Sequence, residues 1–339
     1  MKYFSMFSGI GGFELGIQRA FDTRYKATHR QETTENIQGV VSDTEQHDVQ
    51  RAVSCVGYSE IDKYAIKVYE RNFNGHTNYG NATKIDSTEL PNFDLLVGGF
   101  PCQAFSIAGK RAGFDDTRGT LFFDIARILK EKQPRHLVLE NVKGLLSHNG
   151  GRTFTTILGV LADLGYFVEW QVLNSKDFGV PQNRERVFII GHLGGFGGRQ
   201  VFPIGEESTE DTRRVGKEIS YTIDASYAKG TNTIEKSRRQ IVKVSGDLDK
   251  RKTYLGDIAS TLAANPTSDN TARLLEENKI RRLTPTECER LQGFPDGWTA
   301  GESDTQRYKM CGNAVTVNVI EAIMTNLVKC MYEYRKPVG

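Results

Sequence analysis

Cysteine, membrane-length apolar runs and a surplus of charge of either sign are what this chain has little of. Its five cysteines, at 55, 102, 288, 311 and 330, form no Cys-x-x-Cys pair. Neither a zinc-ligand spacing nor a redox dithiol is therefore present. Their odd number leaves at least one thiol unpaired, which argues for a reducing compartment and against a disulfide framework. No uninterrupted apolar run approaches the ~18 residues of a membrane helix. The amino terminus meets a Gly-rich turn within ten residues of Met1, leaving no room for a secretory leader. A cytosolic location is the expectation. Lysine plus arginine number 44 against 42 acidic residues, a formal charge of +2. The chain as a whole does not announce a polyanionic partner, so any phosphate-binding surface must come from local clusters.

What is present is an ordinary globular composition, 38% hydrophobic and 25% charged over 339 residues. That length suffices for one large α/β domain and a smaller unit. Short apolar strands alternate with helices through the first half. Tyr3 to Phe7 is a strand, followed by Ser8-Gly9-Ile10-Gly11-Gly12 and a helix to about Ala20. Further strands are expected at Cys55 to Glu60, Asp94 to Gly98, His136 to Leu139, Phe167 to Leu173 and Val187 to Ile190, with helices over Leu121 to Lys130 and Thr153 to Leu164. The alternation predicts a doubly wound, mostly parallel sheet. In such sheets ligands gather at the carboxyl ends of strands, which is where Phe7, Glu60, Gly99 and Glu140 fall.

From about His192 to Leu275 the alternation fades and basic pairs accumulate, at Arg213-Arg214, Arg238-Arg239 and Lys250-Arg251-Lys252. We read 1–192 as one domain, 193–275 as a separate smaller unit and 276–339 as a return to the first domain. Thr284-Pro285-Thr286-Glu287 has the form of a capping box with proline at the first helical position. A final helix is expected from about Val315 to Cys330. Residues 22–54 are polar and read as an exposed insertion.

Read one at a time, the notable residues keep two meanings. The Gly-rich turn after Phe7 suits close approach of a nucleotide-like cofactor, or binds nothing. Glu60 either accepts from ribose hydroxyls or is a surface carboxylate. Cys102 is an inert small hydrophobe or a nucleophile, and Lys110, Arg111 and Arg118 in the loop beyond it would favour its thiolate and also meet phosphates. Glu140 is a proton donor in a crevice wall or a structural cap. Arg184 and Arg186, on alternating strand positions, share a face that meets oxygens or only solvent.

Taken together, the segments resemble the DNA cytosine-5 methyltransferases of the bacterial and phage restriction-modification type. The resemblance runs through 7–13, 99–106, 118–122, Glu140-Asn141-Val142, 182–186, 282–287 and Gly312-Asn313-Ala314-Val315, in the family's order. It implies an S-adenosylmethionine-dependent methyltransferase fold with a target-recognition domain at 193–275. It implies Cys102 as the nucleophile on cytosine C6, Glu140 bonded at N3, and Arg186 with Arg184 anchoring the base. For S-adenosylmethionine it implies Phe7, Gly9, Ile10, Gly11, Gly12, Glu60, Ile61, Ala82, Pro101, Leu121, Asn313 and Val315, with no metal. Asn81 stands where the family usually has aspartate, its amide oxygen expected to accept from the adenine amino group. Duplex DNA, the partner implied, would be met by Gln103, Ser106, Lys110, Arg111, Arg118, Arg238, Arg239 and Thr261. A monomer is expected, paired in function with a restriction endonuclease. The alternatives are a tRNA cytosine-5 methyltransferase, an inactive DNA-binding relative and a nicotinamide oxidoreductase. The last leaves the Pro-Cys segment unexplained.

Overall fold

The computed structural model describes residues 1–32, 53–101, 121–194, 200–205, 241–243, 273–276 and 279–333. In chain order the main elements are β1 (Lys2–Met6), α1 (Gly12–Glu32), β2 (Ser54–Ser59), α2 (Lys63–Asn72), β3 (Leu95–Gly99), α3 (Leu121–Lys132) and β4 (His136–Val142). There follow α4 (Arg152–Asp163), β5 (Tyr166–Asn174) and β6 (Glu185–Leu193), and later α5 (Pro285–Leu291), α6 (Asp304–Asn313) and α7 (Val317–Glu333).

Six strands form one sheet in the order β2-β1-β3-β4-β6-β5. The first four are parallel, while β6 runs antiparallel to both its neighbours. The chain leaves β1 on one side for β2 and crosses to the other for β3. That reversal opens a crevice at the carboxyl ends of β1 and β3. Reversal of β6 has its own effect: its amino end lies beside the carboxyl end of β4.

Both faces of the sheet are covered, which is why its strands read as unbroken apolar runs. Successive side chains alternate between two cores. Tyr3, Leu95, Val97, Val138, Phe188 and Ile190 pack with α1 and α7. Phe4, Met6, Leu96, Leu137, Leu139, Val187 and Ile189 pack with α3 and α4. Helices α1 and α7 approach closely because α1 presents glycines four apart. A Cβ on Gly12 would lie 2.8 Å from Val315 Cγ1, and one on Gly16 would lie 2.6 Å from Ile320 Cβ.

Several elements differ from expectation. Helix α1 continues to Glu32, so the start of the expected insertion at 22–54 is helical. Between Gly16 and Gly39 the sequence has no glycine or proline, and Arg24 reaches the Val328 carbonyl. Helix α6 gave no sequence signal: its ten residues are mostly polar, yet Tyr308, Met310 and Cys311 are buried. The stretch 304–331 contains an 18-residue window apolar enough to cross a membrane by composition. Its apolar side chains are core contacts, with Val319, Ile320, Ile323, Met324, Leu327 and Val328 all buried in the sheet's first core. By contrast α5 begins as expected, with Thr284 and Glu287 bonded reciprocally as a capping box. A second sheet joins β7 (Ile241–Lys243), β8 (Arg273–Glu276) and β9 (Lys279–Arg282) in that order. The expected boundary at 275 falls inside β8, whose partner β9 reaches Arg282.

Candidate active site

A cavity of about 480 Å³ lies at the carboxyl ends of β1 to β4. Phe7, Gly9 and Ile10 enter its wall from the turn after β1; Ser59 ends β2 and leads to Glu60, Ile61 and Asp62, and Gly99 ends β3 and leads to Phe100 and Pro101. Leu121 comes from the start of α3 and Glu140 to Val142 from the end of β4. Arg184 and Arg186 come from the amino end of β6, and Met310, Gly312 and Asn313 from the end of α6. Ala65 of α2, with Asn81 and Ala82, completes it.

At one end Glu60 organises the backbone. Its Oε2 accepts from Gly9 N at 2.9 Å, and its Oε1 accepts from Ile61 N at 2.7 Å and Asp62 N at 2.8 Å. A carboxylate offers about four lone-pair sites, so one remains for a ligand hydroxyl. Gly9 has φ +55°, and a Cβ built there meets nothing within 4 Å. The turn is therefore open toward the cavity at that point. Phe7 also adopts a left-handed φ of 55°, an unusual state for an aromatic residue. Beside it the Ile61 side chain is 69% exposed, an apolar surface on the cavity's rim. Asp62 caps α2 through Oδ1 and meets Lys309 Nζ at 2.6 Å through Oδ2.

At the other end Glu140 and Arg186 form an ion pair, Nε to Oε1 3.0 Å, with side chains only 12% and 15% exposed. The strand register explains it: β4 and β6 pair Glu140 with Phe188 and Val142 with Arg186, so the two side chains meet across the strands. Burial pushes the pKa of Arg186 down while the Glu140 carboxylate opposes that shift. Burial also lowers Arg184, aided by the neighbouring Arg186 charge and opposed by Glu140. Gly99 sits opposite Glu140 in the register. A Cβ there would stand 3.1 Å from Glu140 Oε2. Asn141 is buried; its Nδ2 donates to Phe100 O at 2.8 Å, fixing the peptide that leads to Pro101. Among the described residues no group of three His, Cys, Asp or Glu side chains could hold a metal ion.

The C-5 cytosine-specific DNA methylase family matches residues 1–218 and 198–329 of the chain. The chain belongs to that family. The Type II methyltransferase M1.ScrFI of Lactococcus lactis subsp. cremoris is 39% identical over 351 residues, covering 99% of this chain and 80% of that protein. The Type II methyltransferase M.SsoII of Shigella sonnei is 41% identical over 345 residues, covering 97% and 80%. Among solved structures, the S. pombe Dnmt2 methyltransferase has a TM-score of 0.64 at 18% identity, covering 98% of this chain and 99% of that one. At that identity the likeness is one of fold.

In this cytosine-5 methylase, most of the residues expected from sequence line the one cavity: Phe7, Gly9, Ile10, Glu60, Ile61, Asn81, Ala82, Pro101, Leu121, Glu140, Arg184, Arg186 and Asn313. Gly11, Gly12 and Val315 stand behind the wall instead. A Cβ on Gly11 would meet the Phe73 ring at 2.2 Å, and Gly12 abuts Val315. These glycines admit neighbours from the core side. The Asn81 oxygen is engaged locally, accepting from Thr83 N and Oγ1 at 3.0 Å each. Arg184 points to the carbonyls of Ala314 and Gly312, while Arg186 alone of the two pairs with Glu140. Cys102, Gln103, Ser106, Lys110, Arg111, Arg118, Arg238, Arg239 and Thr261 lie outside the described residues. Asn141 and Asp62 were missed as site residues. The signal for Asn141 was its place beside Glu140 at a strand end; for Asp62, its place directly before a helix.

Proposed function

We propose that this methylase transfers a methyl group from S-adenosylmethionine to C5 of a cytosine flipped out of duplex DNA, through a covalent bond between Cys102 and C6. The observation that carries the proposal is the Glu140–Arg186 pair on the wall of the cavity whose other end holds Glu60 and Ile61. An acid and a cation for a base therefore share one space with a ribose acceptor and an apolar rim.

The residues present fit the donor. The cradle at Gly9, the remaining lone pair of Glu60 and the exposed Ile61 face suit a nucleoside. Phe7, Ala82, Pro101, Leu121 and Asn313 enclose the rest. S-adenosylmethionine, when bound, supplies an electrophilic methyl group on a sulfonium. Cytosine C5 is a weak nucleophile, and the protein's task is to strengthen it. The Cys102 thiolate adds to C6, pushing electron density onto C5. A proton taken up from solvent and shared between Glu140 and N3 neutralises that charge as it develops, a contribution of about 10²- to 10⁴-fold. Arg186, bonded to Oε1, leaves Oε2 as the glutamate oxygen that faces N3. C5 takes the methyl group, loses its proton to solvent, and the electrons of that C–H bond expel the Cys102 thiolate. The proton shared at N3 returns to solvent, and Glu140 is left as the carboxylate that pairs with Arg186.

Extruding the base costs a few kcal/mol of lost stacking and pairing, offset by contacts to phosphate and to the orphaned stack. We assign that work to Gln103, Ser106, Lys110, Arg111, Arg118, Arg238, Arg239 and Thr261, with 193–275 reading base edges in the major groove. The Type II names of the relatives support a modification role in a bacterial cytoplasm, protecting DNA from a partner endonuclease.

The test is a duplex carrying 5-fluorocytosine, whose C5 fluorine cannot leave as a proton does. The full chain with S-adenosylmethionine is expected to form a denaturation-stable adduct, absent in Cys102→Ser. Bisulfite sequencing of DNA from expressing cells reports the methylated context. Methylation retained in Cys102→Ser removes the nucleophile assigned here, and transfer to tRNA but not to duplex DNA removes the substrate.

A further inference from the structure

The last residues of α6, Gly312 and Asn313, stand on the cavity wall, and the turn that follows them leads into α7. Its position is set by side chains from three distant parts of the chain. Gln292, just beyond α5, donates from Nε2 to Cys311 O at 2.9 Å. Its Oε1 accepts from Thr316 Oγ1 at 2.8 Å, and its main-chain oxygen accepts from Val317 N at 2.9 Å. Thr316 Oγ1 also lies 2.8 Å from Ser175 Oγ, at the end of β5. From the start of β6, Arg184 Nη2 donates to Ala314 O at 2.9 Å and to Gly312 O at 3.3 Å.

The directions of these bonds follow from valence. Cys311 O needs a donor, so the Gln292 amide must turn its oxygen toward Thr316. Thr316 has one proton, which goes to that oxygen. The Ser175 hydroxyl therefore turns its proton to Thr316 at 2.8 Å, with the Arg184 carbonyl a longer second acceptor at 3.3 Å. Ser175, Gln292 and Thr316 are 2%, 0% and 2% exposed, so water cannot replace a lost partner, and an unmade bond here costs its full desolvation penalty. None of the three lines the cavity. Gln292 and Thr316 act through the turn, and Ser175 through the turn and through the Arg184 carbonyl.

We infer that Thr316 and Gln292, with Ser175 behind them, are positioning residues for the methyl donor. They hold the Gly312–Asn313 backbone at the distance from the Gly9 turn that the donor requires. The same turn is tied through Arg184 to the strand that carries Arg186, so donor end and base end share one brace. This inference rests on the proposed donor site.

The test uses the full chain, with S-adenosylhomocysteine as the binding probe. Thr316→Val keeps the side chain's size and removes its hydroxyl. Its Kd for S-adenosylhomocysteine and its KM for S-adenosylmethionine are expected to rise about tenfold, as for loss of a buried hydrogen-bonded pair. The KM for DNA and kcat should stay within about threefold, since no group that touches DNA is altered. Thr316→Ser, which keeps the hydroxyl, is expected to return both values to within about twofold of the parent. Ser175→Ala removes the outermost donor, with its longer contact to the Arg184 carbonyl, and should raise the donor KM about threefold. Lowered melting temperatures in Thr316→Val and Ser175→Ala with an unchanged donor Kd would overturn the inference and leave the proposed function standing. A parent protein that binds no S-adenosylhomocysteine at all would overturn both.

Discussion

Two adjacent glycines in β3 separate fold from chemistry, and alanine at each should produce opposite symptoms. Strand β3 pairs Gly98 with Met6 of β1 and with Leu139 of β4, and Gly99 with Glu140. A Cβ at Gly98 would lie 2.8 Å from the main-chain oxygen of Met6 and 3.3 Å from Met6 Cβ. Backbone in the middle of a sheet cannot move aside, so Gly98→Ala must part β1 from β3. Overpacking of this kind costs about 1–3 kcal/mol, a fall in melting temperature of roughly 1.5–4 °C at this chain length. A Cβ at Gly99 meets a side chain instead, Glu140 Oε2 at 3.1 Å. That carboxylate must give by a few tenths of an ångström, pulling against its 3.0 Å bond to Arg186. The fold should barely notice. The reaction should, because misplacing a catalytic group by 1 Å costs about 10²-fold, and a shift of a third to a half of that should cost about three- to tenfold. Single-turnover transfer of labelled methyl groups to excess DNA, beside thermal denaturation, reads both quantities. The reasoning is refuted if Gly99→Ala methylates at the parent's rate, or if Gly98→Ala melts with the parent.

Burial also predicts two opposing pH effects. Glu14 is 1% exposed, accepts from Tyr69 Oη at 3.1 Å, and is pushed up to about 7 by burial. Its contribution is fully present below about pH 4.5 and is lost as pH rises through about 7, roughly 3 kcal/mol in all. His136, bonded to His192, is pushed down to about 4 by burial and by the neighbouring His192 and Arg135 charges. Its contribution is present above about pH 6.5 and is lost as pH falls toward 4. Denaturant titrations should therefore show stability rising from pH 4.5 to 6.5 in Glu14→Gln and falling over that window in His136→Gln; parallel profiles in the two variants contradict the account. Gly16→Ala should part α1 from α7, where the new Cβ would stand 2.6 Å from Ile320 Cβ, and lower stability by about 1–3 kcal/mol. A melting temperature equal to the parent's would show that the helices have room to spare.

The site's outline was legible in sequence because a parallel sheet turns strand endings into neighbours. Phe7, Glu60 and Glu140 are scattered over more than a hundred positions, yet each closes an apolar run, and the structure gathers them on one cavity. The start of α5 was legible for a different reason, since a capping box is written within four residues. What escaped notice depends on distant pairing. Nothing local says that β6 inserts antiparallel between β4 and β5, and without that reversal Arg186 would not face Glu140. The same holds for Arg184, whose partners lie 128 and 130 positions away. Helix α6 has no clear apolar stripe to betray it, because its buried residues are stabilised by contacts from α5 and α2.

The close fit of α1 against α7 bears on how the enzyme comes into being. A ribosome that has synthesised the whole six-stranded sheet has yet to make Gly312 and Asn313, which close the cavity, and Ile320, which locks onto Gly16. Until those segments emerge, the cavity lacks the wall that α6 supplies, and a chain stopped at the sheet is expected to be inactive. The same geometry makes the protein divisible. A fragment ending after β6 and one carrying the whole remainder of the chain should each be silent and regain activity on mixing, through the seam where the two helices meet.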